Sequence, residues 1–146
     1  MPLKILVAVE GSEPSLRESS LKAARYALAL ASLAHSRVLG VCVVQIPEYI
    51  EEATRKMLRD ELFAKGSETL DEVKELARGF EVPFESRVVE TKGAISTTIC
   101  ELSERDGVDL IVLGTRTGTS ALAKMMLGSV ASGVTNNAGC AVLVVR

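Results

Sequence analysis

The apolar positions of this chain fall into two kinds of run. "KILVAV" (Lys4 to Val9), "RVLGVCVVQ" (Arg37 to Gln45), "DLIVLG" (Asp109 to Gly114) and "CAVLVV" (Cys140 to Val145) are short and nearly continuous. They are too short for stable helices and rich in β-branched residues, so each reads as a strand buried on both faces. "VPFESRVVE" (Val82 to Glu90) alternates polar and apolar residues and predicts a strand at a sheet edge. Between these runs the apolar residues recur at helical spacing. Leu21, Ala24, Leu28 and Ala31 mark one face of a helix from Ser15 to about His35. Ile50, Met57, Leu62, Leu70, Val73 and Leu76 trace stripes along a helical region from Pro47 to Phe80, with Gly66 as a weak point. Ile95, Ile99 and Leu102 share one side of a short helix within Ala94 to Gly107, and a last helix ends within Ser129 to Gly139. Ser12 or Ser15 is placed to cap the first helix, where Glu13 and Glu18 complement the dipole.

Strands therefore alternate with helices. Continuously apolar strands in that order predict a parallel sheet with helices on both faces, joined by right-handed crossovers. Such sheets bind ligands at the carboxyl ends of their strands, where the winding reverses. The chain has 146 residues, with no repeat or interdomain linker, which predicts a single domain over residues 1–146.

Charge and composition narrow the partners. The net charge is −2, no basic patch or tail is present, and aromatic residues make up 3%, so nucleic acid is not an expected partner. No apolar run approaches the length of a membrane span. Cys42, Cys100 and Cys140 are odd in number and widely spaced, which reads as three small buried apolar residues in a reducing compartment. With no secretory signal pattern at the start, the expected location is cytoplasmic.

The chemistry concentrates after the fourth strand, in "LGTRTGTSALAKMMLGSVASGV" (Leu113 to Val134). Gly114 ends the strand, Gly118 sits in the loop, and Gly128-Ser129 opens a helical segment. Glycines let backbone N–H groups turn toward a phosphate without an intervening Cβ, and a helix N-terminus adds free donors. Thr117, Thr119 and Ser129 supply hydroxyls, and Arg116 and Lys124 supply cations. The stretch is neither a Walker A loop nor GxGxxG after the first strand. On spacing alone a phosphate cradle and a plain strand-to-helix connection both remain open.

Taken together, "KILVAVEGSEPS", "DLIVLGTR", "LGSVASGV" and "CAVLVVR" resemble the universal stress protein family, over essentially the whole chain. The resemblance implies a three-layer α/β/α sandwich with a five-stranded parallel sheet, order 3-2-1-4-5, of the adenine nucleotide alpha hydrolase-like kind. It resembles the ATP-binding subgroup, which carries G-x2-G-x9-G-[ST]. Nine residues separate Gly118 from Gly128, and Ser129 follows, as that pattern requires; three residues rather than two separate Gly114 from Gly118. After the first strand the family usually has Asp, and this chain has Glu10, a carboxylate suited to ribose hydroxyls but one methylene longer. Carried over residue by residue, the implied nucleotide site is Ala8, Val9, Glu10, Val43, Leu113, Gly114, Gly118, Gly128, Ser129, Val130 and Ala131. Val43 matches a backbone contact to adenine, and Arg116 and Lys124 are the candidates for phosphate charge.

Catalytic machinery is not expected. His35 is the single histidine and lies at the far end of the first helix; Asp106 and Asp109 precede the fourth strand at the opposite edge of the sheet. Magnesium could accompany the phosphates of ATP, with Glu10 the evident carboxylate. The last strand has no charge before Arg146, and an apolar edge strand needs cover. A homodimer through Ala141 to Val145 would supply it, as the resemblance also implies. The reading is a stress-response protein that binds ATP or a related adenine nucleotide and acts through ligand-dependent interaction. The alternatives are a dimeric scaffold that binds no nucleotide, and a slow ATPase or self-phosphorylating switch.

Overall fold

Residues 2–115 and 127–146 are described by the computed structural model of this chain. Strand and helix alternate as the apolar pattern predicts: β1 (Lys4–Ala8), α1 (Pro14–Leu33), β2 (Arg37–Gln45), α2 (Glu52–Phe80), β3 (Phe84–Thr91), α3 (Ile95–Arg105), β4 (Leu110–Gly114), α4 (Ser129–Asn137) and β5 (Ala141–Val145). The strands form one sheet in the order β3-β2-β1-β4-β5, and every neighbouring pair is parallel. β3 lies at an edge, as its mixed composition predicts.

Alternation along the strands divides the core into two layers. Ile5, Val7, Cys42 and Val112 pack with residues of α1 and α2, such as Ala24, Leu28, Leu70 and Val73. Leu6, Leu39, Val41 and Ile111 pack on the other face with Ile99 and Leu102 of α3 and Ala131 and Val134 of α4. The result is a three-layer α/β/α sandwich.

Several local expectations needed correction. Neither Ser12 nor Ser15 caps α1: the N-cap is Glu13, which makes no side-chain cap bond, and no acidic residue lies in the first turn. Pro14 opens the helix instead, with a preset φ and no N–H to satisfy. α2 begins at Glu52 rather than Pro47, and the preceding turn is held by Arg55, whose Nη1 donates to the Pro47 carbonyl at 2.9 Å. β3 is shifted to Phe84–Thr91, because Val82 N–H closes the end of α2 on the Ala77 carbonyl at 3.0 Å. Gly66 does not interrupt α2; a Cβ there would lie 2.9 Å from Cys42 Sγ, so the glycine lets the helix close on β2. Cys42 and Cys100 are buried, but Cys140 is only partly so.

His35 has a backbone role. It takes the left-handed conformation, φ 51, just past α1, while Ser36 N–H donates to Ala31 O at 2.8 Å. This closure satisfies a last-turn carbonyl. Asp106 and Asp109 sit at the amino ends of the strands, as expected. Asp106 pairs with Arg87 at 2.8 Å and Lys4 at 3.8 Å, and Asp109 accepts the Lys4 N–H at 2.9 Å.

Candidate functional site

The winding direction reverses between β1 and β4. From β1 the chain crosses through α1 to β2 on one face; from β4 it returns through α4 to β5 on the other. Two consecutive serines of α1 bond to the chain just past the two strand ends. Ser20 Oγ accepts the Glu10 N–H at 2.7 Å, and Ser19 Oγ donates to the Thr115 carbonyl at 2.6 Å. A cavity of about 360 Å³ opens there, at the carboxyl edge of the sheet. This is the topological switch point at which open α/β sheets accept ligands.

One wall is a helix end. Gly128 is the N-cap of α4, with φ 83 and ψ 162, and makes no side-chain cap. A side chain is almost never tolerated in that conformation. The first bond of the helix is Ser132 N–H to Gly128 O, at 3.0 Å, so the N–H groups of Ser129, Val130 and Ala131 precede the intrahelical ladder. Gly128, Ser129, Val130 and Ala131 all line the cavity. Gly114 lines it too, but its lack of a side chain has a packing cause: a Cβ would lie 2.7 Å from the Ser19 carbonyl oxygen.

A second wall is unpaired strand. The β1–β2 ladder ends at Ala8–Val41, with Val9 N–H donating to Val41 O at 2.9 Å, while β2 runs on to Gln45 beside β3. Arg37 N–H and Val41 O both face β1, and Val38 and Ile46 N–H both face β3. By this alternation the Val43 N–H and C=O face the side that β1 has vacated. A donor and an acceptor are thus presented side by side in the plane of the sheet. Ala8, Val9, Val43 and Leu113 line this part of the cavity.

The charged side chains on the described walls are Glu10, Glu13 and Lys65. Cys42 forms part of the floor; burial, with the Glu10 charge adding to it, pushes its thiol up to about 11, so it is neutral at physiological pH. Among the described residues no group of three or more His, Cys, Asp and Glu could hold a metal ion.

Arg116, Thr117, Gly118, Thr119 and Lys124 lie outside the described residues, and the Gly114-to-Gly118 spacing ends among them. The other candidate residues are brought together on the cavity wall: Ala8 at the end of β1 with Val9 and Glu10 after it, Val43 from β2, Leu113 and Gly114 from β4, and Gly128 to Ala131 at the start of α4. Sequence reasoning missed the α2 wall of Leu62, Lys65 and Gly66, the α1 residues Ser19 and Ser20, and Ile95 and Ile99 of α3. Gly66 was the available signal, since a glycine inside a helix often marks a close approach.

Comparison with known proteins identifies the group. The universal stress protein family profile matches residues 1–146. The chain belongs to the universal stress protein family. Its relatives include a universal stress protein of Methanocaldococcus jannaschii, 34% identical over 98% of this chain and 81% of that one. The universal stress protein YxiE of Bacillus subtilis is 32% identical over 98% of both chains. Among solved structures, universal stress protein UspA from Lactobacillus plantarum superposes with a TM-score of 0.77 at 25% identity, over 99% of this chain and 97% of that one. Two others share the fold at 20% identity. One is a universal stress protein from Archaeoglobus fulgidus in complex with dAMP, with TM-score 0.73 over 99% of this chain and 98% of that one. The other is an Arabidopsis thaliana family protein with AMP bound, with TM-score 0.70 over 99% and 91%. No helix among the described residues of this universal stress protein is long and apolar enough to cross a membrane.

Proposed function

We propose that this universal stress protein binds ATP or a related adenine nucleotide across the carboxyl ends of β1 and β4. The observation that carries the reading is the open N-terminus of α4 on the cavity wall, where Gly128 turns the chain so that the first-turn N–H groups precede any helical acceptor. Such donors and the helix dipole suit phosphate oxygens. Val43 supports the adenine half: its N–H and C=O match a ring nitrogen acceptor beside an exocyclic amine. Glu10 is assigned to the ribose hydroxyls, Ala8, Val9 and Leu113 to the walls, and Gly114 to the exit of β4. Arg116, Gly118 and Lys124 are assigned to the phosphates. The AMP and dAMP complexes of fold relatives lend weight to this class of ligand.

Were magnesium to enter with ATP, the Glu10 carboxylate would be the protein ligand to hand, and the ion would offset phosphate charge. The protein is read as acting by ligand-dependent interaction. A homodimer through Ala141–Val145 fits the same reading, since β5 is an edge strand whose Val142, Leu143 and Val144 are only half-buried. The free cysteines are consistent with a cytoplasmic, reducing location.

Isothermal titration with ATP, ADP and AMP tests the function. Saturable heat at sub-millimolar ligand is expected. No heat with any of the three would remove the nucleotide and favour the scaffold reading.

A further inference from the structure

Two close approaches bring one turn of α2 into the cavity. A Cβ on Gly11 would lie 2.8 Å from the Lys65 carbonyl oxygen, and a Cβ on Gly66 would lie 2.9 Å from Cys42 Sγ. Both contacts fall on the turn that carries Leu62 and Lys65, and Leu62, Lys65 and Gly66 all line the cavity. Lys65 is half-buried along its length, and its ammonium pairs with Glu61, one turn away on α2, at 3.2 Å. A lysine in this position can lay its methylenes along an apolar wall while its charge stays toward solvent.

The position of this turn follows from the sheet. Cys42, against which Gly66 packs, belongs to the α1–α2 layer. Val43 is the next residue of β2, and its backbone pair lies in the plane of the sheet, at the gap left by β1. A flat ring bonded to Val43 would have the α2 turn over one face and Ile95 and Ile99 of α3 on the other side of the sheet. Among the described residues the cavity lining contains no aromatic side chain on which a base could stack.

We propose that Lys65, with Leu62 beneath it, covers one face of the adenine ring, making α2 a base-recognition wall of this site. The inference rests on the adenine-nucleotide reading above and extends it to a residue outside the glycine motif. The ammonium contributes little to this contact; the methylenes contribute the cover.

The test compares Lys65→Ala and Lys65→Met with the parent, using ADP and adenosine as probes in isothermal titration. Lys65→Ala should weaken both ligands by the same factor, about tenfold, from the lost burial of roughly two methylenes. Lys65→Met keeps an apolar stem of similar length and should stay within about threefold of the parent. Thermal melts of the variants should match the parent, because this half-exposed side chain holds no core position. ADP binding unchanged in Lys65→Ala would overturn the assignment while leaving the nucleotide reading intact. A loss confined to ADP would overturn it too, by placing Lys65 on a phosphate. Absence of ADP binding by the parent would overturn the nucleotide reading itself, and this inference with it.

Discussion

Gly128→Ala separates backbone geometry from ligand contact. At φ 83 and ψ 162 an alanine is strained, although among the described residues a Cβ there would meet nothing within 4 Å. The substitution therefore adds no clash, and its whole cost is conformational, about 1–3 kcal/mol. For a chain of this size that corresponds to a fall of roughly 2–10 °C in Tm. If the chain relieves the strain by rotating the peptide, the N–H groups of Ser129 and Val130 swing away from the cavity. Each charge-assisted hydrogen bond so lost is worth about 1.5–3 kcal/mol, so ADP affinity should drop at least about tenfold. Thermal melting by circular dichroism reads the first effect and isothermal titration the second. Gly107→Ala is the control: it also has positive φ, 65, and open space around it, but lies in the turn between α3 and β4, at the far end of the sheet. It should lower Tm and leave ADP affinity unchanged. The reasoning fails if Gly128→Ala leaves both Tm and affinity at parental values, or if Gly107→Ala weakens ADP equally.

Other consequences are equally direct. Folded Cys42 keeps its proton to about pH 11 because it is buried, whereas an unfolded cysteine ionises near 8.5. The folded state then binds more protons in that interval, so this contribution is complete below about pH 8.5 and is lost as pH rises toward 11. Urea midpoints across that range should fall less steeply in Cys42→Ala than in the parent, and parallel curves would refute the assignment. Gly114→Ala should cost about 1–3 kcal/mol, because its Cβ meets the backbone carbonyl of Ser19 at 2.7 Å. Adding Ser19→Ala should not restore the loss, since the carbonyl remains; a full restoration in urea denaturation would place the conflict on the hydroxyl alone. Thr115 N–H donates to Val145 O, so Val145 faces β4 and Val144 presents its N–H at the open edge. If β5 pairs with a second copy, Val144→Pro should move the light-scattering mass from twice 15.6 kDa to 15.6 kDa with the far-ultraviolet spectrum intact. A parent that is already monomeric at micromolar concentration would remove that interface.

Much of the fold was legible because burial on both faces leaves a continuous apolar signature. β2 was read to the residue, Arg37–Gln45, for this reason. Helix starts were less legible: α1 opens at Pro14 behind Glu13, which makes no side-chain cap bond, and α2 opens at Glu52 rather than Pro47. The opening of α4 at Gly128-Ser129 was legible because no other residue type is comfortable there. Gly114 was legible as special, but the sequence suggested approach of a ligand where the structure supplies a helix, α1, pressed against the strand end.

Local sequence thus determined the succession of strands and helices, the parallel sheet and the glycines that end β4 and open α4, because period and backbone freedom are properties of a few adjacent residues. Tertiary structure alone decided that Ser19 and Ser20 hold the two strand ends, that Val43 outlasts its β1 neighbour, and that Leu62 and Lys65 reach the cavity. Each of these depends on which distant segments touch. Gly11 and Gly66 show why: their small size is visible in the sequence, but the Lys65 carbonyl and the Cys42 thiol that require it come from other elements of the fold.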